Sequence, residues 1–456
     1  MSDQPQLMDT LPRSDRAADD RQRTVYKERL RQHLQDPAFR AIEGFPKGDD
    51  EAILALSDPP FYTACPNPFL PEIVERWRSE RTQVRAKLGL PDDSADNGNG
   101  GPAVYHREPF ATDVSEGKND PIYNAHSYHT KVPHRAIMRY ILHYTDPGDV
   151  VFDGFCGTGM TGVAAQLCGD RQTVESLGYW VDESDVVYEG KKAVSRLGAR
   201  KAALVDLSPA ATFIAYNYNT PVDDTAFELE ARRILKEVEA ECGWMYETWH
   251  PDCDDLNRVK GRINYTVWSD VFVCPQCGRE IVFWDAAVDK AAGEVLDSFH
   301  CPGCGAEHSK RTVERAWETI YDQAIGQPVR RAKQVPVMIN YSVGTERHEK
   351  PADAEDLALI QKIEESEIPH WFPTDRMPEG DESRRNDDIG ITHVHLFYTR
   401  RSLQTFAALW AKSSHPLHRA ALVGGLSVGL RMSRFRVPLW VNKTNEASPQ
   451  TDELYR

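Results

Sequence analysis

An α/β fold carrying a cysteine-rich β insert and a mainly helical C-terminal region is the architecture the sequence predicts. Two passages carry the α/β part. Val150-Val151-Phe152 reads as a short buried parallel strand ending at Asp153; a glycine turn follows, and residues 160–169 have the small and apolar pattern of a helix packed on a sheet. Residues 199–215 repeat that order, with a strand at 202–205, Asp206 at its end and a helix after it. The third observation is a matched pair of turns, Cys274-Pro275-Gln276-Cys277-Gly278 and Cys301-Pro302-Gly303-Cys304-Gly305, separated by a hairpin-length segment.

Composition bounds what these elements can belong to. The chain has 456 residues, enough for two or three domains, and its 40% hydrophobic and 27% charged content is ordinary for a globular protein. No run approaches the length of a membrane span, and residues 1–20 lack the apolar stretch of a signal peptide, so a cytoplasmic protein without membrane partners is expected. The formal net charge of −16 argues against a general nucleic-acid binder and confines any DNA contact to a local basic face. Nine cysteines in such a chain are not a disulfide framework.

Five regions are expected in order: a disordered tail over 1–20, an N-terminal segment over 21–101, an α/β core over 102–245, a cysteine ribbon over 265–315, and a mainly helical α/β region over 316–456 that contacts DNA. Within them, 21–42 reads as a helix and 51–56 as a strand running into Asp58-Pro59-Pro60-Phe61. Residues 92–102 are too polar and glycine-rich to pack. Residues 132–144 form an amphipathic helix, 170–197 a polar insertion, and 226–242 a helix of alternating charge. Strands at 281–284 and 295–299 complete the ribbon. An acidic helix follows at 353–367, then a polar loop at 371–386 and helices at 403–410 and 420–430; from 442 the pattern fades. The basic runs Arg330-Arg331-Ala332-Lys333 and 431–436 are candidate phosphate contacts, against the plainer reading of solvated faces.

The chemistry of three stretches narrows the function. Four thiolates fill a tetrahedral site with no open position, so Cys274, Cys277, Cys301 and Cys304 read as ligands of one structural Zn2+. A redox pair is the competing reading, but such pairs do not come as matched duplicates. In Asp153-Gly154-Phe155-Cys156-Gly157-Thr158-Gly159, glycines let the backbone turn from strand to helix beside a ligand and leave no side chain in the way. Packing alone can also call for them. Asp58-Pro59-Pro60-Phe61 resembles an element of amino-group methyltransferases, and the resemblance implies that the carboxylate and a prolyl carbonyl accept both N–H bonds of an exocyclic amine, localising its lone pair, while the aromatic ring stacks on the base. A proline turn capped by Asp58 is the plain alternative.

Asp153 to Gly159 stands close to the Asp-Pro-Phe-x-Gly-x-Gly signature of amino-group DNA methyltransferases, with Gly154 replacing the proline. Asp58-Pro59-Pro60-Phe61 resembles the Asp/Asn/Ser-Pro-Pro-Tyr/Phe motif of the same enzymes. His129-Thr130-Lys131-Val132-Pro133 resembles their Thr-x-Lys-Pro element, with Val132 inserted. From about residue 52 to 435 the chain is similar to adenine-specific DNA methylases with an embedded zinc ribbon.

That resemblance implies a Rossmann-like, S-adenosylmethionine-dependent methyltransferase sheet. The cofactor would be held by Lys131, Asp153, Gly154, Phe155, Gly157, Thr158, Gly159 and Asp206, the last accepting from the ribose, with Asp182 a rival for that role. Asp58, Pro59, Pro60 and Phe61 would be catalytic, and methyl would pass to adenine N6 or cytosine N4 of double-stranded DNA, in a restriction or phage-defence setting with partner subunits. Longer members place an Asp-Pro-Pro-Phe after the ribbon, and this sequence has none there. Either the order is permuted and Asp58 is catalytic, or the chain is a shortened methylase acting as a non-catalytic DNA-binding subunit. Methylation of RNA or of a protein amide is a further alternative.

Overall fold

In the computed structural model, which describes residues 16–46, 48–89, 106–126, 128, 131–251, 258–414 and 416–425, the chain divides into two units, Met1–Asp224 and Thr225–Arg456. The expected loop at 92–102, the basic run 431–436 and the stretch from 442 lie outside the described residues.

The first unit opens with helices α1 (Arg16–Leu34), α2 (Pro37–Arg40), α3 (Asp50–Leu56) and α4 (Leu70–Lys87), closed around Tyr26, Leu30, Leu34, Ile53, Leu54, Phe69 and Ile73. α1 begins inside the stretch expected to lack structure. The strand expected at 51–56 is instead α3. Asp49 caps it by accepting from the Ala52 N–H at 2.7 Å, and Asp50 and Glu51 complement the positive end of the helix. A short apolar run with a single β-branched residue, Ile53, and no aromatic suits either structure, and here the cap decides.

After α5 (Pro121–Asn124) and α6 (His134–Tyr144), strand β1 (Val150–Asp153) leads through the glycine turn into α7 (Met160–Leu167). The polar insertion folds as α8 (Arg171–Ser176) and an antiparallel meander of β2 (Trp180–Val181), β3 (Val186–Glu189) and β4 (Lys192–Arg196). Its Val174, Val181 and Val187 join Met138, Ile141 and Leu142 of α6 and Ala164 and Ala165 of α7 in one core, so the insertion closes the unit. Strand β5 (Lys201–Leu204) and helix α9 (Pro209–Asn219) follow. β5 lies parallel to β1, with Val150 opposite Lys201 and Asp153 opposite Leu204. That register sets the glycine turn level with Val205 and Asp206.

The second unit opens with α10 (Asp224–Cys242) and continues almost entirely as β structure to Pro351. The strands are β6 (Glu247–Trp249), β7 (Lys260–Val273), β8 (Glu280–Val282), then helix α11 (Phe283–Ala287), β9 (Val288–Asp289), β10 (Glu294–Val295), β11 (Ser298–His300), β12 (Glu307–Ser309), β13 (Glu314–Arg315), β14 (Trp317–Asp322), β15 (Gln327–Ala332), β16 (Gln334–Val343) and β17 (Glu346–Pro351). An antiparallel sheet runs β13-β7-β16-β17, with β6 and β8 also on β7. Helices α12 (Ala354–Glu365), α13 (Asp381–Arg384), α14 (Arg400–Lys412) and α15 (Pro416–Gly425) complete the description.

The expectation of a mainly helical C-terminal region is therefore corrected: helices begin only at Ala354. β14 alternates in exposure rather than in polarity, with Trp317, Thr319 and Tyr321 outward and Asp322 buried. β16 tolerates Pro336 because the ladder shifts register between Pro336 and Met338, where a missing N–H donor is harmless. In the ribbon, Phe283 and Trp284 belong to α11, and 295–299 is split between β10 and β11. No helix among the described residues is long and apolar enough to cross a membrane.

Candidate functional site

The turn after β1 is held from both sides. Asp153 accepts from the Phe155 N–H at 3.1 Å through one oxygen and from the Thr161 hydroxyl at 2.6 Å through the other. Asp206 reaches the same turn from the end of the neighbouring strand: its Oδ2 accepts from the Gly157 N–H at 2.9 Å and its Oδ1 from the Ser208 N–H at 2.8 Å. The Cys156 N–H donates to the Val205 carbonyl at 3.0 Å, extending the β1–β5 pairing into the turn. Gly157 and Gly159 have φ of +50° and +77°, a region costly for residues with a Cβ. Thr158 between them is buried, and its Oγ1 has no hydrogen-bond partner among the described residues. Phe155, 87% exposed, projects from the turn.

Tyr128 is the residue that sequence reasoning missed here. Its ring lies over Gly157, 3.1 Å from where a Cβ would stand, and burial followed by the Asp206 charge raises its pKa. The aromatic two residues before Thr130 was the available signal. Lys131 points into the preceding turn, donating to the carbonyls of Tyr123 and, at 2.8 Å, of His126, with the rings of Tyr123 and Tyr218 beside it. Burial pushes its amine down to about 8. Asp182 caps its own meander turn, accepting from the N–H groups of Ser184 and Val186, each at 2.9 Å.

Asp58 follows α3 rather than a strand. Its backbone exchanges two hydrogen bonds with Tyr62, closing the Pro59-Pro60-Phe61 turn. Asn67 donates to the Pro60 carbonyl at 2.9 Å. The Asp58 carboxylate accepts from the Tyr216 hydroxyl at 2.5 Å and faces the Arg23 guanidinium at 3.4 Å, while Tyr62 stacks on Tyr216 with ring centres 4.6 Å apart. Burial, and then the Asp58 carboxylate, hold the Tyr216 hydroxyl well above its ordinary pKa. Phe61 is 59% exposed, with Arg76 over its ring at 5.2 Å. α9 links the two places. Ser208, beside Asp206, caps its start, and Tyr216 lies about 12 Å of helix rise further along. Tyr216 had no sequence signal, because it meets Asp58 across 158 residues.

Residues 26–194 match a family model described as DNA methylase. The methylase match takes in Asp58, Lys131 and the whole turn from Asp153 to Gly159, and ends before Asp206, Cys274, Cys277, Cys301 and Cys304. It supports an amino-methyltransferase role on DNA. No curated protein and no solved structure matches the chain.

Outside the methylase match, the second unit brings Cys274, Cys277, Cys301 and Cys304 together, their sulfurs all within 4.8 Å of one another, a group able to hold a metal ion. Cys274 and Cys304 are 3.7 Å apart and Cys277 and Cys301 3.6 Å, too far for disulfides. The Gly278 and Gly305 N–H groups each close their turn on the first cysteine's carbonyl at 2.9 Å. His308, another residue without a sequence signal, is buried with Nε2 3.3 Å from the Cys274 sulfur. A ring N–H there steadies a thiolate from the second layer.

Proposed function

We propose that the first unit binds S-adenosylmethionine at the turn from Asp153 to Gly159, in a Rossmann-like arrangement, and serves methyl transfer to an exocyclic amine of DNA, adenine N6 before cytosine N4. One observation carries the cofactor reading: two carboxylates at the ends of adjacent parallel strands hold between them a glycine turn whose buried Thr158 hydroxyl has no partner among the described residues. When bound, the cofactor supplies an electrophilic methyl on sulfur. This chain's residues bind and orient. Gly157 and Gly159 let the backbone come close, Thr158 offers an unused hydroxyl, and the remaining lone pairs of Asp206 suit ribose hydroxyls. The test is incubation with tritiated cofactor and unmethylated genomic DNA, followed by identification of the labelled base. No label in DNA, with label in RNA or protein instead, sends the reading to those acceptors.

Within this reading Asp58 and the prolyl carbonyls accept from the amine and Phe61 stacks on the base. Asp58→Ala then leaves cofactor affinity nearly intact and removes transfer. A second reading is favoured by the partners of Asp58: a carboxylate engaged by Tyr216 and Arg23 after a helix is also a tie between α3 and α9. In that case Asp58→Ala and Tyr216→Phe both lower stability and leave any transfer as it is in the parent, and a parent chain that binds DNA without transferring methyl is a non-catalytic, DNA-binding methylase.

The four cysteines, we infer, hold one zinc ion. With Zn–S bonds of about 2.3 Å a tetrahedron has edges of about 3.8 Å, close to the 3.6 and 3.7 Å found here. Four thiolates leave no open position, so the ion is structural. A restriction or phage-defence setting rests on the sequence resemblance alone.

A further inference from the structure

We infer that the outward face of the β14–β15 hairpin is a stacking platform for single-stranded DNA, an inference that rests on DNA being the substrate. The hairpin pairs Trp317 with Ala332, Thr319 with Arg330 and Tyr321 with Pro328. Side chains alternate along a strand, so Trp317, Thr319, Tyr321, Pro328 and Arg330 share one face. That face holds two aromatics, a cation and no carboxylate, in a chain where Asp and Glu number 70 against 54 Lys and Arg. Trp317 is 37% and Tyr321 68% exposed. They stand four residues apart, about 13 Å along the strand, far enough for each to take its own base.

The neighbouring contacts single out Arg330 from the basic run Arg330-Arg331-Ala332-Lys333. Arg331 donates to Glu318 at 2.6 Å on the reverse face, and Lys333 is held by Glu280 at 2.7 Å. Arg330 instead lies 4.5 Å over the Trp317 ring, diagonally across the strands. A guanidinium there can reach a phosphate while the indole meets a base. The reverse face keeps the hairpin in place without these residues: Asp322 bonds His395 at 2.7 Å, Val329 is buried, and Gly390 is pressed against the Arg330 and Arg331 backbone. Tyr321 is thus spare to the fold.

The occupant follows from which surface of DNA can meet a ring. A duplex offers base edges in its grooves but not base faces. Faces become available only where nucleotides are unpaired, as they are around a base taken out of the stack for chemistry.

The test is binding of a labelled mixed-sequence oligonucleotide of about twenty nucleotides, as single strand and as duplex, to the full chain and to Trp317→Ala, Tyr321→Ala and Arg330→Ala. The single strand is expected to bind more tightly than the duplex. Tyr321→Ala and Trp317→Ala should each weaken it about tenfold or more, and Arg330→Ala should lower the salt slope by about 0.7. Tyr321→Phe should bind as the parent does. Circular dichroism and metal content show whether each variant is folded, and Tyr321→Ala decides if Trp317→Ala is not. DNA binding unchanged in all three variants overturns the platform while leaving DNA as substrate. A preference for duplex overturns the single-strand occupant, and no binding to either form removes the DNA reading with it.

Discussion

Gly157 and Gly159 in the first unit and Gly278 and Gly305 in the second all take up left-handed backbone, with φ from +50° to +77°. Their surroundings are unlike. A Cβ on Gly159 would stand 2.7 Å from Ala215 Cβ and 2.9 Å from its Cα, and one on Gly157 would meet the Tyr128 ring at 3.1 Å. A Cβ on Gly278 or Gly305 would meet nothing within 4 Å among the described residues beyond its chain neighbours. Glycine in the first unit supplies both conformation and space, because α7 and α9 press together at the turn. In the cysteine turns it supplies conformation alone, and the sulfur cluster must hold the local structure.

The largest effect should come from the metal. Structural zinc in small modules contributes on the order of 10 kcal/mol. A chelator, or Cys301→Ser, should therefore open the region around Phe272, Ile281 and Phe299, which packs on Cys274 and Cys301. Amide exchange across 274–313 and a metal stoichiometry falling from one per chain to none are the readings. A protein prepared without chelators that carries no zinc breaks this half of the contrast.

Next comes Gly159→Ala. Left-handed strain and overpacking against an immovable Ala215 backbone sum to about 2–5 kcal/mol. Denaturant unfolding of the first unit should shift by that much. Gly157→Leu, which fills the cleft under Tyr128, should abolish cofactor binding by calorimetry. Wild-type affinity in that variant removes the turn from the cofactor site.

Lys131 gives a smaller, pH-dependent effect. Burial lowers its amine to about 8, so it is charged at neutral pH and loses its proton above that. If the bound cofactor's carboxylate draws on this charge, affinity stays level below pH 8 and falls roughly tenfold above it. Lys131→Met should flatten the profile. A parent profile already matching that of the variant assigns the lysine to its clamp on Tyr123 and His126 alone.

The smallest change in stability is expected at the cysteine turns. Gly278→Ala or Gly305→Ala should lower stability by only about 1–2 kcal/mol, and asparagine, which tolerates this backbone, by less. A loss at Gly278 as large as that at Gly159 would erase the distinction.

Legibility followed the distance over which residues meet. β1 and β5 were readable because each is announced within a dozen residues by an apolar run, a carboxylate or a glycine, and the closure of the four cysteines because the same Cys-x-x-Cys-Gly spacing is repeated. α3 was not, since Ala-Ile-Leu-Ala-Leu has no period of its own and the Asp49 cap tips it to helix. β14 to β17 were missed because Glu318, Arg331 and Pro336 interrupt the apolar pattern; β14 pairs with β15 and β17 with β16, and β16 alone of the four gains a distant partner, β7. Tyr216 and His308 carry no local mark, and Tyr128 only its place two residues before Thr130. Each matters only because the fold brings it to a glycine, a carboxylate or a thiolate.

β7 has a consequence for assembly. The strand runs from Lys260 to Val273, pairs with β16 across two register shifts, and passes directly into Cys274. A ladder that already contains irregularities has competing alignments, and a slip by one residue would turn Ile263 and Val267 from the core to solvent. An ion gripping Cys274 from the far side of the ribbon would act as a stop that only one alignment can satisfy. Metal supply during synthesis would then decide how faithfully the large sheet zips, and protein made in zinc-starved cells would emerge misaligned rather than simply less stable.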